Sequence, residues 1–466
     1  MPSVISRSLD RSTPRSWYAL AVLLFLYVLS LMDRQIIALM ITPLRRDLGL
    51  TDVQVGLLEG FAFVIMYTMA AIPLGWAVDR FSRRFVIFAG LVVWSASCAG
   101  AGFALSFAAL FASRVGVGIG EAALTPGAHS MLSDLFPRRQ LSMALGVFVI
   151  GANIGVMVSY GLGGTLIHWL NAAGEIHLAG LGQFHPWQMA FLVAGLPGLI
   201  LSWLLFTIAE PQRRYISKPN AAVIGPVVAF FRTRGRTLPL VIVGFAFNNL
   251  VGYTVLSWTP ALLERKFGWH VGEIGPALGL VLGIAGVAGM LSSGLIGGHC
   301  FRRGIHDINV RMSALSMMLA APVALIAFTA ATPTMCLVFL AGTHFLCSLT
   351  VASAAAALQL IAPNELRGRL AATYVFVANL VGQGLGPVAV GFITEHILHN
   401  HMLVGYSLAV LVPVAAALGA LFLRIGLGAY RHALGEAEGH ERAGEHAGAS
   451  ALGEAAVITR RPKLAE

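Results

Sequence analysis

Long apolar runs, each ended by a short polar stretch, recur along the whole chain. A helix needs about 20 apolar residues to cross a hydrocarbon layer ~30 Å thick. Twelve runs reach that length. The first six are Trp17–Pro43, Gln54–Val78, Phe85–Leu105, Phe107–Leu132, Leu141–Leu166 and Trp187–Ala209. After a polar stretch come Leu238–Thr259, Glu273–Gly297, Ile308–Thr329, Thr334–Leu360, Gly368–Phe392 and Met402–Arg424. The pattern divides the chain into a tail (1–16), a first bundle (17–209), a linker (210–237), a second bundle (238–426) and a tail (427–466). The first run follows an Arg-containing leader without a small-residue cleavage site, so a retained helix is expected rather than a signal peptide. The last segment is rich in Ala, Gly, Glu and His, and disorder is expected there.

Composition changes the picture from length alone. The 466 residues are 57% hydrophobic and only 11% charged, against about 25% charged in soluble proteins. The 52 glycines suit close packing of membrane helices. These figures exclude a soluble enzyme, a disulfide-rich secreted module and a disordered scaffold.

The formal charge of +10 could point to nucleic acid, so the position of the charges decides. With the N-terminus placed in the cytoplasm, only Arg45, Arg46, Arg265 and Lys266 of the 31 Lys and Arg fall in outside loops. Arg34 and Arg114 fall within spans, and all the others lie in inside segments. This is a strong positive-inside bias. It assigns the surplus to membrane orientation, and no nucleic-acid partner is expected. With no targeting motif, the Ala/Gly-rich, loop-poor chain points to a bacterial inner membrane with both termini cytoplasmic.

The four cysteines, Cys98, Cys300, Cys336 and Cys347, have no metal-ligand spacing and read as free thiols. His168, His177, His185, His396, His399 and His401 lie in two outside loops. With only single carboxylates, Glu175 and Glu395, beside them and no Cys or carboxylate cluster, they read as solvated surface groups, and neither a metal nor a cofactor is expected. No nucleophile–base pair appears in the spans, which argues against an enzyme. No folded extramembrane domain is present to suit a receptor.

The two halves repeat. TPLRRDLGLTDVQVG (Thr42–Gly56) follows the first span and TPALLERKFGWHVGEIG (Thr259–Gly275) follows the seventh. Gly49 and Gly268, Gly56 and Gly275, and Gly75 and Gly294 are separated by one common interval. Further along, Pro137 matches Pro363 and Asn153 matches Asn379. The expected fold is an all-α membrane protein of twelve transmembrane helices in two pseudo-symmetric six-helix bundles. Two such halves joined by a basic linker are the plan of a rocking transporter.

On these residues the chain resembles the major facilitator superfamily over essentially its whole length. The loop after the second span resembles that family's G-x-x-x-D-R-x-G-R-R signature through Gly75, Asp79, Arg80, Arg83 and Arg84, with Ser82 in place of Gly. Asp79 at a helix end can pair with arginines at the cytoplasmic mouth, in a bond that only one conformation satisfies. Gly298 replaces the acid in the second half, so a weaker latch is expected there. Gly146, Gly155, Gly163 and Gly164 partly match the family's antiporter motif, but Ser159 and Tyr160 depart from it. Small-residue packing explains these glycines equally well, so antiport is not assigned.

Four charges lie at depth in the first half: Asp33 and Arg34 in the first span, Arg114 and Glu121 in the fourth. A charge at mid-membrane costs about 2.5–3.5 kcal/mol on insertion scales, so each needs a partner or a wet cavity. Arg114 and Glu121 share one helix face two turns apart, about 10 Å along the axis. Pairing of Glu121 or Asp33 with Arg114 or Arg34 across helices would satisfy both signs. Burial favours a neutral carboxyl and a nearby arginine favours a charged one, so a motion that exchanges partners couples to protons. The alternative role is a fixed ion pair holding the first half together. Glu59 and Glu395 lie near outer helix ends, where water is expected to reach them. The second half instead offers neutral polar groups, and the candidate cavity residues are Asn153, Asn248, Asn249, Tyr253, His344, Gln359, Asn379 and Gln383.

The stretches MDRQIIALM (Met32–Met40) and RVGVGIGEAALTPGAHSMLSDLFP (Arg114–Pro137) resemble the Spinster branch of the superfamily. That branch moves lysophospholipids and sphingolipids. The resemblance implies a monomeric proton-coupled carrier of an amphipathic lipid, driven by the proton gradient, with Asp33, Arg34, Arg114 and Glu121 in coupling and head-group handling. The anion:cation symporter branch shares an Asp-Arg and a Gly-x-Glu-Ala in these spans. A small organic anion is therefore the alternative substrate.

Overall fold

A computed structural model describes residues 13–180, 182–213, 225–233, 237–363 and 366–459. Twelve of its helices are long and apolar enough to cross a membrane. In the first half these are α1 (Pro14–Leu48), α2 (Asp52–Arg80), α3 (Arg83–Ala101), α4 (Phe107–Leu135), α5 (Arg139–Ala173) and α6 (Pro186–Thr207). The second half holds α7 (Pro239–Phe267), α8 (Val271–Arg302), α9 (Ile308–Thr329), α10 (Pro333–Ile361), α11 (Arg367–Ile397) and α12 (from His401). An even number of crossings puts both ends of the chain and the middle linker on one side, here called the termini side. The opposite face is the far side. A small hairpin, β1 (Ile176–Leu178) against β2 (Gly182–Phe184), lies between α5 and α6 on the far side.

The sequence repeat has a structural meaning at the far-side corners. Gly49 and Gly268 each end the first helix of their half at φ +63° and +69°. That left-handed conformation costs glycine nothing. Two residues later each half caps the next helix in the same way. The Thr51 N–H donates to Gln54 Oε1 (3.0 Å) and the His270 N–H donates to Glu273 Oε2 (3.1 Å).

Two expectations at the chain ends change. Thr13 caps α1, its hydroxyl accepting from the Ser16 N–H at 3.3 Å with Pro14 in the first turn, so residues 14–16 are helix rather than tail. The tail expected to be disordered from 427 continues α12 as helix as far as Thr459. Tyr430 is buried and donates to the Ala357 carbonyl (3.1 Å), and Arg431 reaches Asp307 (2.5 Å). Residues 1–12, the linker stretches 214–224 and 234–236, and 460–466 lie outside the described residues.

The halves meet along two seams. In one, α2 packs on α11 so closely that a Cβ at Gly60 would lie 2.0 Å from the Gln383 carbonyl, and one at Gly56 would lie 2.6 Å from that of Pro387. In the other, α5 packs on α8 from Gly164 against Gly275 to Asn153 beside Gly286. Without a hydrophobic force between helices in lipid, close approach of small residues supplies the attraction. Nearer the termini side, a Cβ at Gly75, Gly146 or Gly294 would meet nothing within 4 Å. The close approaches between the halves gather toward the far side, which is closed.

Polar bonds reinforce the closed side. Arg265 of α7 donates to both oxygens of Asp52 in α2, at 3.0 and 3.2 Å. Thr42 donates to Glu264 (2.6 Å), and the Val53 N–H donates to Glu395 (3.1 Å). Tyr160 donates to the Leu256 carbonyl.

Candidate functional site

The four expected charges converge where α1 changes its winding. α1 is α-helical to Gln35, 3-10 over Ile36–Met40 and α-helical again to Leu48. A change of winding loosens the backbone ladder, and Arg114 of α4 engages it. Its guanidinium donates to the carbonyls of Asp33 (3.3 Å), Arg34 (3.2 Å) and Leu58 (3.3 Å). Arg114 thus ties α4 to α1 and α2 through backbone and pairs with no carboxylate.

Arg34 instead pairs with Glu121. Its guanidinium carbon lies 4.2 Å from the centroid of Phe63 and 5.6 Å from that of Tyr67. Tyr253 of α7 lies close enough to interact electrostatically with it. One Arg34 nitrogen, Nε, has no hydrogen-bond acceptor, and neither has the second Glu121 oxygen a donor. Asp33 is 0% exposed. It sits alongside Cys98 and Trp94 with no hydrogen bond of ordinary geometry to either oxygen. The site therefore contains one salt bridge, one backbone-bound arginine and one buried carboxyl without a partner.

Glu59 departs from expectation. Rather than reaching water near a helix end, it is 4% exposed in a π-helical turn of α2, Leu57–Phe61. The cause is the seam: α11 covers this turn through the Gly60–Gln383 approach, which no local sequence pattern reveals. Glu395 does reach the far-side surface, where it accepts the Val53 N–H.

At the termini-side mouth the signature residues divide. Arg83 is 1% exposed and donates to Asp134 (2.5 Å), Glu210 (2.9 Å) and Ser130 (3.2 Å). Arg84 donates to the Ile208 carbonyl (2.7 Å). Partial burial works against the charge of Glu210. Hydrogen bonds from Arg83, the Arg84 N–H and Ser82 outweigh it and hold that carboxyl below the usual carboxylate range. Arg80 lies over Trp76, 4.7 Å from its ring. Asp79 is exposed and pairs with no arginine among the described residues. Asp134 and Glu210, which the signature does not include, are the acids that hold this loop.

The neutral polar candidates do not form one cluster. Asn153 and His344 flank Gly286; Asn153 approaches Met290 Sδ at 3.1 Å, and both His344 ring nitrogens lack partners. Asn248 is buried and donates to the Cys347 carbonyl (3.2 Å), leaving its own oxygen unpartnered. Asn249 packs against Gly382 of α11. Asn379 is half-buried, while Gln383 is buried in the α2–α11 seam and presents its carbonyl to Gly60. Gln359 lies elsewhere, in a cavity of about 660 Å³ at the termini side of the second half, with Met290, Ser293, Asn309, Arg367 and Glu438.

A family model described as Major Facilitator Superfamily matches residues 23–387. The chain belongs to that superfamily. An MFS-type efflux pump of Mycolicibacterium smegmatis is 28% identical over 427 residues, 91% of this chain and 95% of the pump. Protein spinster of Drosophila melanogaster is 24% identical over 414 residues, 86% of this chain and 66% of that protein. The hexuronate transporter of Bacillus subtilis is 25% identical over 391 residues, 81% of this chain and 88% of that one. A crystal structure of a bacterial homolog of the human lysosomal transporter Spinster, inward-facing and unoccupied, matches with a TM-score of 0.73 at 25% identity. The match covers 91% of this chain and 98% of that one. The chain is a Spinster-like member with the two-bundle arrangement of the superfamily, a multi-pass membrane transporter and not an enzyme.

Proposed function

We propose that this transporter is a proton-coupled secondary carrier working by alternating access, and that it moves an amphipathic lipid such as a lysophospholipid or a sphingolipid-like molecule. The observation that carries the coupling is the pairing of Arg34 with Glu121 beside a buried, unpartnered Asp33. Burial favours the neutral form of a carboxyl and a neighbouring arginine opposes it, so a carboxyl's proton affinity changes with its partners. Rocking that exposes Asp33 or separates Arg34 from Glu121 then exchanges a proton with water. Arg34 Nε, unpartnered at this site, supplies a donor for an anionic head group, and the Phe63 and Tyr67 rings form an aromatic wall beside it.

From the basic residues of the termini-side loops and the positive-inside rule we infer that this side faces the cytoplasm. The closed far side is then the outer face, and the protein lies in the inner membrane with both termini cytoplasmic. A small organic anion is the second reading, favoured by the likeness to a hexuronate transporter. Uptake by proteoliposomes of a labelled lysophospholipid and of a hexuronate, each under an imposed pH gradient, tests the choice. A lipid carrier moves the first and tolerates a longer acyl chain. Movement of the hexuronate alone contradicts the lipid reading.

A further inference from the structure

We propose that Glu59 is a second proton-binding group, built into the far-side gate, and that it must be neutral for the α2–α11 seam to close. The proposal rests on the proton-coupled reading above and adds to it a carboxyl outside the Asp33–Glu121 site.

The geometry is specific. Glu59 lies two turns into α2 from Asp52, about 10 Å below the far-side end. It occupies the π turn Leu57–Phe61, which faces a second π turn, Leu380–Leu385, in α11. The backbones are in direct contact there, since a Cβ at Gly60 would lie 2.0 Å from the Gln383 oxygen. Two backbones that leave no room for a methyl group leave none for water at that point. One Glu59 oxygen is fully buried without a hydrogen bond. The groups that face Glu59 are few. Arg114 approaches from α4 but is committed to three backbone carbonyls. Tyr160 faces it from α5 and donates to Leu256. Ser257 faces it from α7, in the other half of the molecule, while α11 covers the adjoining Gly60 with the Gln383 carbonyl.

Closing the seam over a charged, unpaired carboxylate is costly, and closing it over the neutral acid is not. Opening of the far side would part Glu59 from Ser257 and admit water, so the proton can leave there. Protonation then closes the gate and deprotonation opens it. The group acts directly on the barrier to rocking and requires no contact with substrate.

The test reads far-side separation without substrate or gradient. Spin labels are placed at Arg46→Cys and His399→Cys, exposed far-side positions in opposite halves, with Cys300 replaced by Ser; the other thiols are buried. Distances are measured in lipid nanodiscs across a pH series. The expected result is a longer-distance population that grows with pH in this background, is lost in Glu59→Gln, and is kept with a displaced midpoint in Glu59→Asp. A full pH response in Glu59→Gln, or an undisplaced midpoint in Glu59→Asp, overturns the proposal. Either of those with intact proton-driven flux leaves the Asp33–Glu121 reading standing. A pH response lost in Glu59→Gln while wild-type flux ignores the gradient supports the gate and defeats that reading.

Discussion

Arg265 grips Asp52 with two nitrogens, at 3.0 and 3.2 Å, and so fastens the second half of the chain to the first at the far side. Both side chains are buried, at 5% and 2% exposure. The pair exists only while that side is closed, since opening must separate α2 from α7. Asp52→Asn takes the carboxylate from Arg265, which keeps only the His401 carbonyl (2.9 Å), and so costs the closed state most of a buried ion pair. Asp52→Asn is therefore expected to raise the far-side-open population, read as a longer distance between labels at 46 and 399.

Gly60 should control the same seam through shape. Any side chain there meets the Gln383 carbonyl, and overpacking costs about 1–3 kcal/mol. Gly60→Ala is expected to leave folding intact, because the open state has room for the methyl group, but to disfavour far-side closure. Gly75→Ala, at a position with nothing within contact distance, is the control. Equal label distances in the two variants would contradict a seam that depends on glycine.

At the termini-side mouth, Arg83 organises Asp134, Ser130 and Glu210. Arg83→Ala is expected to lower the melting temperature of the purified protein, with a loss of about 3–5 kcal/mol, since two acids lose a buried partner. Glu210 adds a pH dependence of known sign. Its carboxyl is held below the usual carboxylate range, so the folded state favours its charged form. That stability is fully present above the ordinary carboxylate value and is lost as pH falls through the lowered one. Wild-type stability should fall more steeply in acid than that of Glu210→Gln, measured by thermal unfolding across pH.

The helical extension of α12 should matter where a disordered tail would not. Arg311 and Arg431 both reach Asp307, at 2.7 and 2.5 Å; despite partial burial they hold its carboxyl below the usual range. Truncation after Gly428 removes Tyr430 and Arg431 and is expected to destabilise the second half. Truncation after Gly439 keeps both and is expected to be neutral. Equal melting temperatures for the two truncations would contradict a structural role for this segment.

The features legible in the sequence were those written locally. Spans of apolar residues, the paired corners at Gly49 and Gly268 and the charges at depth all announce themselves by composition and spacing. Which charges pair was not legible. Arg114 could have matched a carboxylate, yet the break in α1 at Ile36 gave it backbone carbonyls instead. Glu59 reads as a wet helix end because its burial comes from α11, far away in the chain. Gln359 reads like its neighbours, but its helix face opens onto a different cavity. The signal that could have exposed Glu59 is its place directly before Gly60, since a glycine in a span marks close approach of another helix.

The coupling rests on Asp33 and Glu121, and proton-driven flux tests it most directly. Wild type, Asp33→Asn and Glu121→Gln are compared in proteoliposomes with a labelled lysophospholipid, with and without a pH gradient. The expected result is that the gradient drives accumulation in wild type and in neither variant, while both variants still fold, Glu121→Gln melting lower because Arg34 loses its carboxylate. Gradient-driven accumulation at the wild-type rate in Glu121→Gln would contradict the claim.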